Sequence, residues 1–395
     1  MINFDSNNCC PICKSEDTKM FIDFKGSSQF IKQYNVFSMT KDICHRCGHI
    51  YVSSCHDYDV EGHYQTARGR GDLIYSKASK IVQDEFIDLV YWVSGSINEP
   101  SSILDIGCGK CELLNAFKTK YQSSDVHGID YSADAIEYGK QYNLDSIVAG
   151  DLYEKLPDTA DFDFISATGV LEHQYNLDIF LNRMKSLASN GASFLVQVPD
   201  SYSIFGRKDL GSKYMHDLFN DEHLHHFNMT NLSNVLNKNG FEVIKHRTNR
   251  RNDWDLIDIL FKVKESKEVS TLSFQDPDAA QVFLEQFSQK QSNDQYFFNN
   301  IANNATSIGI YGGGWHTDVC LPAYYNFSFK NVKAIFDLDV RKQGCHLFGI
   351  SVVEPTKEII DTLDCIIISS INLNEEILNF LLDISIDQEK IVCIY

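Results

Sequence analysis

Leu104-Asp105-Ile106-Gly107-Cys108-Gly109-Lys110-Cys111-Glu112-Leu113-Leu114 joins one short apolar run to another through a pair of glycines. The order reads as a buried strand, a tight turn and the opening of a helix. Glycine in such a turn lets the backbone approach a ligand closely, and the helix N-terminus lies beside it. The next apolar run, residues 126–129, ends at Asp130, 23 residues after Gly107. A carboxylate there is placed to bind ribose hydroxyls. A third run, residues 146–148, is followed by Asp151-Leu152, which sets a carboxylate near the place of an adenine amino group. Further strand-like runs lie at 162–165 and 192–196, with helical spacing over 73–92, 133–142 and 177–188. Strands alternating with helices predict an α/β fold with a doubly wound, parallel sheet.

Taken in order, these residues resemble the class I S-adenosylmethionine-dependent methyltransferases, whose first motif is an acidic residue followed by Gly-x-Gly-x-Gly. The resemblance covers about residues 70–248. It includes Gly169-Val170-Leu171-Glu172-His173 after the fourth strand, Asn190-Gly191 before the fifth and Val198-Pro199-Asp200 after it. Cys111 stands where the family most often has its third glycine. The resemblance implies a Rossmann-like methyltransferase domain that binds S-adenosylmethionine. Gly107, Cys108 and Gly109 would line the methionine part, Asp130 would hold the ribose and Asp151 the adenine. Asp105, Tyr131 and Leu152 complete the expected cofactor set. A nicotinamide dinucleotide would instead call for Gly-x-Gly-x-x-Gly around a pyrophosphate. Glu112 occupies that last position, and a carboxylate there repels a pyrophosphate but tolerates a sulfonium.

Six of the 12 cysteines fall in the first 55 residues. Cys10-x2-Cys13 and Cys44-x2-Cys47 form two close pairs, 30 residues apart. Each pair can grip one edge of a tetrahedral ion, and four thiolates complete a closed structural zinc site. Iron fits the same four ligands, and Cys9, Cys55 and His45 are substitute ligands. Gly48 allows a tight turn after the second pair. A unit this small buries little core by itself, and a metal is a common remedy. The remaining cysteines sit mostly in apolar stretches, as small hydrophobes do.

Asn220-Asp221-Glu222-His223-Leu224-His225-His226 follows the fifth strand. Histidine titrates near neutrality, so this segment offers a general base, with Glu222, His223 and His226 as candidates. A second metal site and a purely structural role are the other readings. Near Ser307 the pattern of strand, glycines, helix and strand returns: 308–311, then Gly312-Gly313-Gly314, then a strand closed by Asp337. This turn suits acceptor binding or a structural role; Thr317 stands where a dinucleotide site would have its third glycine. Three such units in this order resemble the sugar C-methyltransferases, which implies a nucleotide-linked sugar as acceptor. In that family a Tyr-x-Glu-His segment supplies the catalytic groups; Glu222 and His223 match it, and Asn220 takes the tyrosine position.

The chain thus divides into a zinc-binding unit (1–68), a methyltransferase domain (69–250), a polar helical connector (251–304) and a C-terminal Rossmann-like α/β domain (305–395). Its 395 residues, 43% hydrophobic and 23% charged, suit a folded protein of several domains. The 35 basic and 54 acidic residues leave a net charge of −19, which disfavours nucleic acid as a partner. No apolar run reaches the roughly 18 residues of a membrane span. The opening residues lack the basic and apolar regions of a signal peptide, so a cytoplasmic location is expected. The expected partner is a small-molecule acceptor, with the oligomeric state left open. Two other functions fit parts of the sequence: an oxidoreductase or epimerase using the C-terminal turn, and a cofactor-binding protein without transfer.

Overall fold

The structure, a computed structural model, describes residues 9–27, 36–56, 80–203, 222–251, 254–265, 277–314, 316–340, 342–370 and 373–393. Strands β1 (Thr18–Ser27), β2 (Val36–Cys44) and β3 (Ile50–His56) form an antiparallel meander behind the first cysteine pair. Helix α1 (Lys80–Ser94) leads into β4 (Ser102–Ile106), α2 (Glu112–Lys120), β5 (Asp125–Asp130), α3 (Ala133–Gly139) and β6 (Ser146–Ala149). Then come β7 (Phe162–Thr168), α4 (Leu177–Ser186), β8 (Ala188–Pro199), the two-residue β9 (His225–His226), α5 (Met229–Lys238), β10 (Phe241–Arg251) and β11 (Trp254–Val263). The long α6 (Pro277–Asn304) precedes β12 (Ile308–Tyr311), α7 (Leu321–Tyr325), β13 (Val332–Phe336), β14 (His346–Leu347), β15 (Ile350–Val353), β16 (Cys365–Ile368), α8 (Asn374–Asp383) and β17 (Ile391–Cys393).

The central sheet has the order β10-β11-β8-β7-β4-β5-β6. Its five strands from β8 to β6 are parallel, and β11 alone runs against them, pairing antiparallel with β8 on one side and β10 on the other. Helices cover both faces, so Ile103, Leu104, Phe164, Ile165, Leu195 and Val196 are buried in near-continuous apolar runs. The chain order reverses at β4, whose neighbours are β5 and β7, and ligands of open α/β sheets bind at such a switch point. Helix α2 buries Leu113, Leu114, Ala116 and Phe117, one face at helical spacing. Phe117 meets Phe164 at a ring separation of 5.1 Å. The helical spacing over 73–92 corresponds to α1 within the described residues, and residues 73–79 lie outside them. The C-terminal sheet, β14-β15-β13-β12-β16-β17, is parallel except at β14.

Two expectations need correction. The connector over 251–304 is not helical throughout: Trp254–Val263 is a strand, inserted between β8 and β10. Its Leu256, Ile257, Ile259, Leu260 and Phe261 are all buried, but the polar stretch that follows dilutes this signal over a longer window. Asp258 interrupts the run because it is itself buried against Gln197 and Arg247. The N-terminal unit is also not self-contained. His225 and His226 of β9 pair with Tyr51 and Ile50, adding a fourth strand to its sheet. One face of that unit (Ile22, Met39, Ile43, Val52) packs with Leu284, Phe298, Ile310 and Tyr325. Cys10, Ile12, Cys44, Cys47 and Tyr51 pack instead with the core of the central sheet. The small unit gains its core by lying between its two larger neighbours. No helix among the described residues is long and apolar enough to cross a membrane.

Candidate active site

The glycine turn is anchored to the strand beside it. The backbone N–H groups of Gly107 and Cys108 donate to the Ile129 carbonyl at 2.8 and 3.1 Å. Gly107 has φ +72°, and a Cβ there would lie 2.4 Å from Val170 Cγ2, so only glycine lets the turn pass beneath the loop after β7. Gly109 has φ +50°, with open space where a Cβ would stand. Cys111, in the family's glycine position, keeps the left-handed conformation with φ +67° and begins α2. The backbone path of the motif is therefore preserved without its third glycine. Cys108 turns its side chain inward toward Gly128 and leaves its backbone at the turn.

The two downstream aspartates meet this turn. Asp130 accepts from Gly109 N–H with one oxygen and from Ser132 N–H with the other, both at 2.8 Å. Burial pushes its pKa up, and those two N–H groups pull it down. Gly150 N–H donates to the Asp130 carbonyl at 2.8 Å, which brings the next residue, Asp151, beside it. Asp151 accepts from Tyr153 N–H at 2.6 Å and from the Tyr131 hydroxyl. Leu152 is buried in the following helical turn. Gly107, Cys108, Gly109, Asp130, Tyr131, Asp151 and Leu152 thus gather at the carboxyl ends of β4, β5 and β6. Asp105 differs: it is 1% exposed, and Ser166 Oγ donates to it at 2.7 Å across the β4–β7 pair. Burial raises its pKa to about 7. Its place is inside the sheet, where it ties β4 to β7.

On the other side of Val170, the loop after β7 carries Glu172 and His173. His173 Nδ1 lies 2.9 Å from the Glu222 carbonyl, and its ring centroid is 4.9 Å from that of His223. One ligand atom from each of Glu172, His173 and His223 falls within 4.8 Å of the others. Sequence reading named His223 but gave Glu172 and His173 no role of their own, because 49 residues separate His173 from its Glu222 partner. Glu222 is half-buried beside them, and Asn220 and Asp221 lie outside the described residues. His226 is drawn into the N-terminal sheet, where its Nε2 lies 3.0 Å from Lys41 Nζ. Lys41 also donates to the His223 carbonyl at 2.8 Å. Burial, then the Lys41 charge, depress the His226 pKa far below the usual histidine range.

The four cysteines converge as two facing edges. Cys10 Sγ lies 3.5 Å from Cys47 Sγ, and Cys13 Sγ 3.5 Å from Cys44 Sγ. Thiolates 2.3 Å from a tetrahedral ion stand about 3.8 Å apart, so the cluster fits one zinc ion with little adjustment. The turns after the two pairs match: Lys14 and Gly48 are both left-handed, and their N–H groups donate to the Cys10 and Cys44 carbonyls.

The C-terminal turn is used differently. Gly312 packs so closely on Ser369 that a Cβ would lie 2.4 Å from its carbonyl oxygen. Gly313 N–H donates to Asp337 at 2.9 Å, as Gly109 does to Asp130, but Lys342 Nζ also holds Asp337 at 3.0 Å. The buried His316 and Thr317 both contact Ser369 Oγ at 2.7 Å. The turn is thus tied into its own domain by polar contacts, and its carboxylate is already paired.

Residues 79–246 match the family model of a methyltransferase domain. The matched segment contains the glycine turn, both aspartates and the Glu172–His173 loop. Over 108 residues the chain is 33% identical to the mitochondrial ubiquinone biosynthesis O-methyltransferase of Candida albicans, covering 25% of this chain and 33% of that protein. Over 141 residues it is 26% identical to (S)-coclaurine N-methyltransferase of Thalictrum flavum subsp. glaucum, covering 33% and 38%. The chain thus spans little more than a third of these relatives. Among solved structures it is similar to magnesium protoporphyrin IX methyltransferase from Synechocystis PCC 6803 with bound SAH, at 17% identity and a TM-score of 0.39. That likeness covers 50% of this chain and 95% of the other.

Proposed function

We propose that this protein transfers the methyl group of S-adenosylmethionine to a small acceptor. The observation that carries this reading is the glycine turn with Asp130 and Asp151 on the next two strand ends, inside the segment that matches a methyltransferase domain. Asp130 offers its remaining lone pairs to ribose hydroxyls and Asp151 faces the adenine, while the backbone of 107–109 borders the methionine part. The acceptor attacks the methyl carbon in line. Its lone pair forms the new bond, the sulfur–methyl bond breaks, and that electron pair stays on the sulfur. Holding the two reactants aligned supplies up to roughly 7–11 kcal/mol of the barrier reduction.

The acceptor's proton goes to a base in the Glu222–His223 pair. His226 is the weaker candidate, since Lys41 and the N-terminal sheet already engage it. A nucleotide-linked sugar is our choice of acceptor, supported by the order of the three units. The C-terminal turn then serves as a wall of the acceptor cleft or as a structural element. One zinc ion on Cys10, Cys13, Cys44 and Cys47 would hold the N-terminal unit, supported by the sulfur spacing. Calorimetry on zinc-loaded protein tests the central reading: saturable binding of S-adenosylmethionine and its demethylated product is expected, and its absence removes the proposal. A turnover assay over a panel of sugar nucleotides tests the acceptor.

A further inference from the structure

Lys41 is fully buried, at 0% exposure, within β2. A buried ammonium is costly unless hydrogen-bond acceptors meet it. Both strands beside it bulge at its level. Ile22 of β1 pairs with Lys41 and Met20 with Asp42, leaving Phe21 extra. Val52 of β3 pairs with Lys41 and Ser54 with Thr40, leaving Ser53 extra. Bulges next to functional sites re-aim a side chain. In the sheet order β1-β2-β3-β9, the Lys41 side chain crosses β3 and meets the His-rich segment at two points. Its Nζ donates to the His223 carbonyl at 2.8 Å and lies 3.0 Å from His226 Nε2. An ammonium has three donors and no acceptor, so His226 Nε2 accepts and the ring proton sits on Nδ1. Lys41 thus engages His226 through its ring and His223 through its backbone.

We propose that Lys41 is a positioning residue for methyl transfer, which holds His223 in place as half of the Glu222–His223 base and keeps His226 from serving as that base. This rests on the reading that the acceptor's proton goes to the Glu222–His223 pair. Two successive carbonyls of the pair are anchored from different elements. His173, in the turn after β7, donates from Nδ1 to the Glu222 carbonyl at 2.9 Å, and Lys41 of β2 donates to the His223 carbonyl. Anchoring both carbonyls on structured elements fixes where the two side chains start, and alignment of reacting groups is what the transfer depends on. His226 is held in the opposite sense. Lys41 takes up its Nε2 lone pair and Nδ1 is already protonated, so the neutral ring has no nitrogen left to receive the acceptor's proton. Lys41 of β2, His49 before β3, and His223 and His225 of its own segment all oppose a further proton on that ring.

The test uses full-length, zinc-loaded protein labelled with 15N-histidine, with His226→Gln to identify the His226 signals. Two-bond proton–nitrogen spectra of the parent should show His226 neutral, with its proton on Nδ1, from about pH 6 to about pH 8. A His226 proton on Nε2, or a charged ring in that range, overturns the proposal without any Lys41 variant. Lys41→Met keeps an unbranched stem of similar length and removes the donors. Its His226 signals should change tautomer or begin to titrate, while affinity for S-adenosylhomocysteine stays near that of the parent. Unchanged His226 signals in a folded Lys41→Met protein also overturn the proposal. With a sugar nucleotide that the acceptor assay shows to be methylated, Lys41→Met should lower kcat about 10- to 100-fold at unchanged KM for S-adenosylmethionine. An unchanged kcat overturns the positioning role. Loss of S-adenosylhomocysteine binding by the parent strikes the methyl-transfer reading, and failure of every sugar nucleotide strikes the acceptor choice; the histidine spectra decide on the Lys41 contacts in either case.

Discussion

Asp105, buried near the end of β4, and the half-buried Asp130, at the end of β5, are placed for opposite uses. Asp130 accepts one backbone N–H on each oxygen, and in the proposed function its remaining lone pairs would take the ribose hydroxyls. Asp130→Ala should weaken binding of S-adenosylhomocysteine by about 10- to 100-fold, the scale of a lost hydrogen bond to a charged group. Calorimetry giving an unchanged affinity would remove Asp130 from the ribose site. Asp105 is sealed inside the sheet, and its pKa rises from 3.8 to about 7 because burial penalises the charge. The folded state therefore keeps a proton there that the unfolded chain has already lost. The stability due to this residue is fully present below pH 3.8 and declines as pH rises to about 7. Asp105→Asn can still accept from Ser166 and has no charge to bury. Its stability relative to the parent should therefore improve by a few kcal/mol between pH 4 and pH 8, since each tenfold change in proton affinity is worth about 1.4 kcal/mol. Thermal midpoints of both proteins at the two pH values check this; an equal gap at both would refute the buried-charge account.

At the scale of elements, the glycine turn separates two kinds of constraint. Gly107 is both left-handed and crowded by Val170, whereas Gly109 is left-handed with open space beside it. Gly107→Ala should lower thermal stability by more than the roughly 1–2 kcal/mol of left-handed strain and also impair cofactor binding. Gly109→Ala should cost only about that strain and lose cofactor affinity out of proportion, because the bound ligand fills the open space. Melting curves and calorimetry on the same two variants separate these effects; a Gly109→Ala protein with parental affinity would place the ligand elsewhere. The turn was legible in the sequence because its parts are local: glycines, strand ends and the helix start lie within one unit of β4-α2-β5. Cys111 looked like a departure, yet its backbone takes the glycine conformation, and its sulfur fits against Gly139. What lay hidden depends on distant partners. Lys41 meets His226 across 185 positions and His49 meets His225 across 176, so no window could show that the His-rich segment is a strand of the N-terminal sheet. Strand β11 was missed for a different reason: Asp258 breaks its apolar run, and only the tertiary partners Gln197 and Arg247 make that buried charge acceptable.

At the scale of the whole molecule, the cysteine cluster sits where three units share their cores. Cys10, Cys44 and Cys47 pack within the apolar cluster of the central sheet, and the β-meander they begin packs against α6, β12 and α7. Strand β3 also carries β9, the segment that follows Glu222 and His223. A metal that holds the cysteine turns would therefore also support the segment that carries Glu222 and His223, not only the residues that bind it. Binding energy at a site formed only on folding is folding energy, about 10–16 kcal/mol for isolated zinc peptides. If even ~5 kcal/mol of that reaches the shared cores, stripping the metal should lower the thermal midpoint of the 395-residue chain by about 6 °C, since the unfolding entropy is about 2.1 cal/mol/K per residue. The same loss is expected for Cys44→Ser, which removes one ligand without a chelator. Because β3–β9 pairing and the shared clusters couple the units, the transition should move as a whole, with no separate early step for the N-terminal unit. Calorimetric scans of zinc-loaded, chelator-treated and Cys44→Ser protein, with S-adenosylhomocysteine binding measured on each, decide the matter. If the metal-free protein keeps its main transition and its cofactor affinity, and only a small early transition appears, the N-terminal unit is an independent appendage.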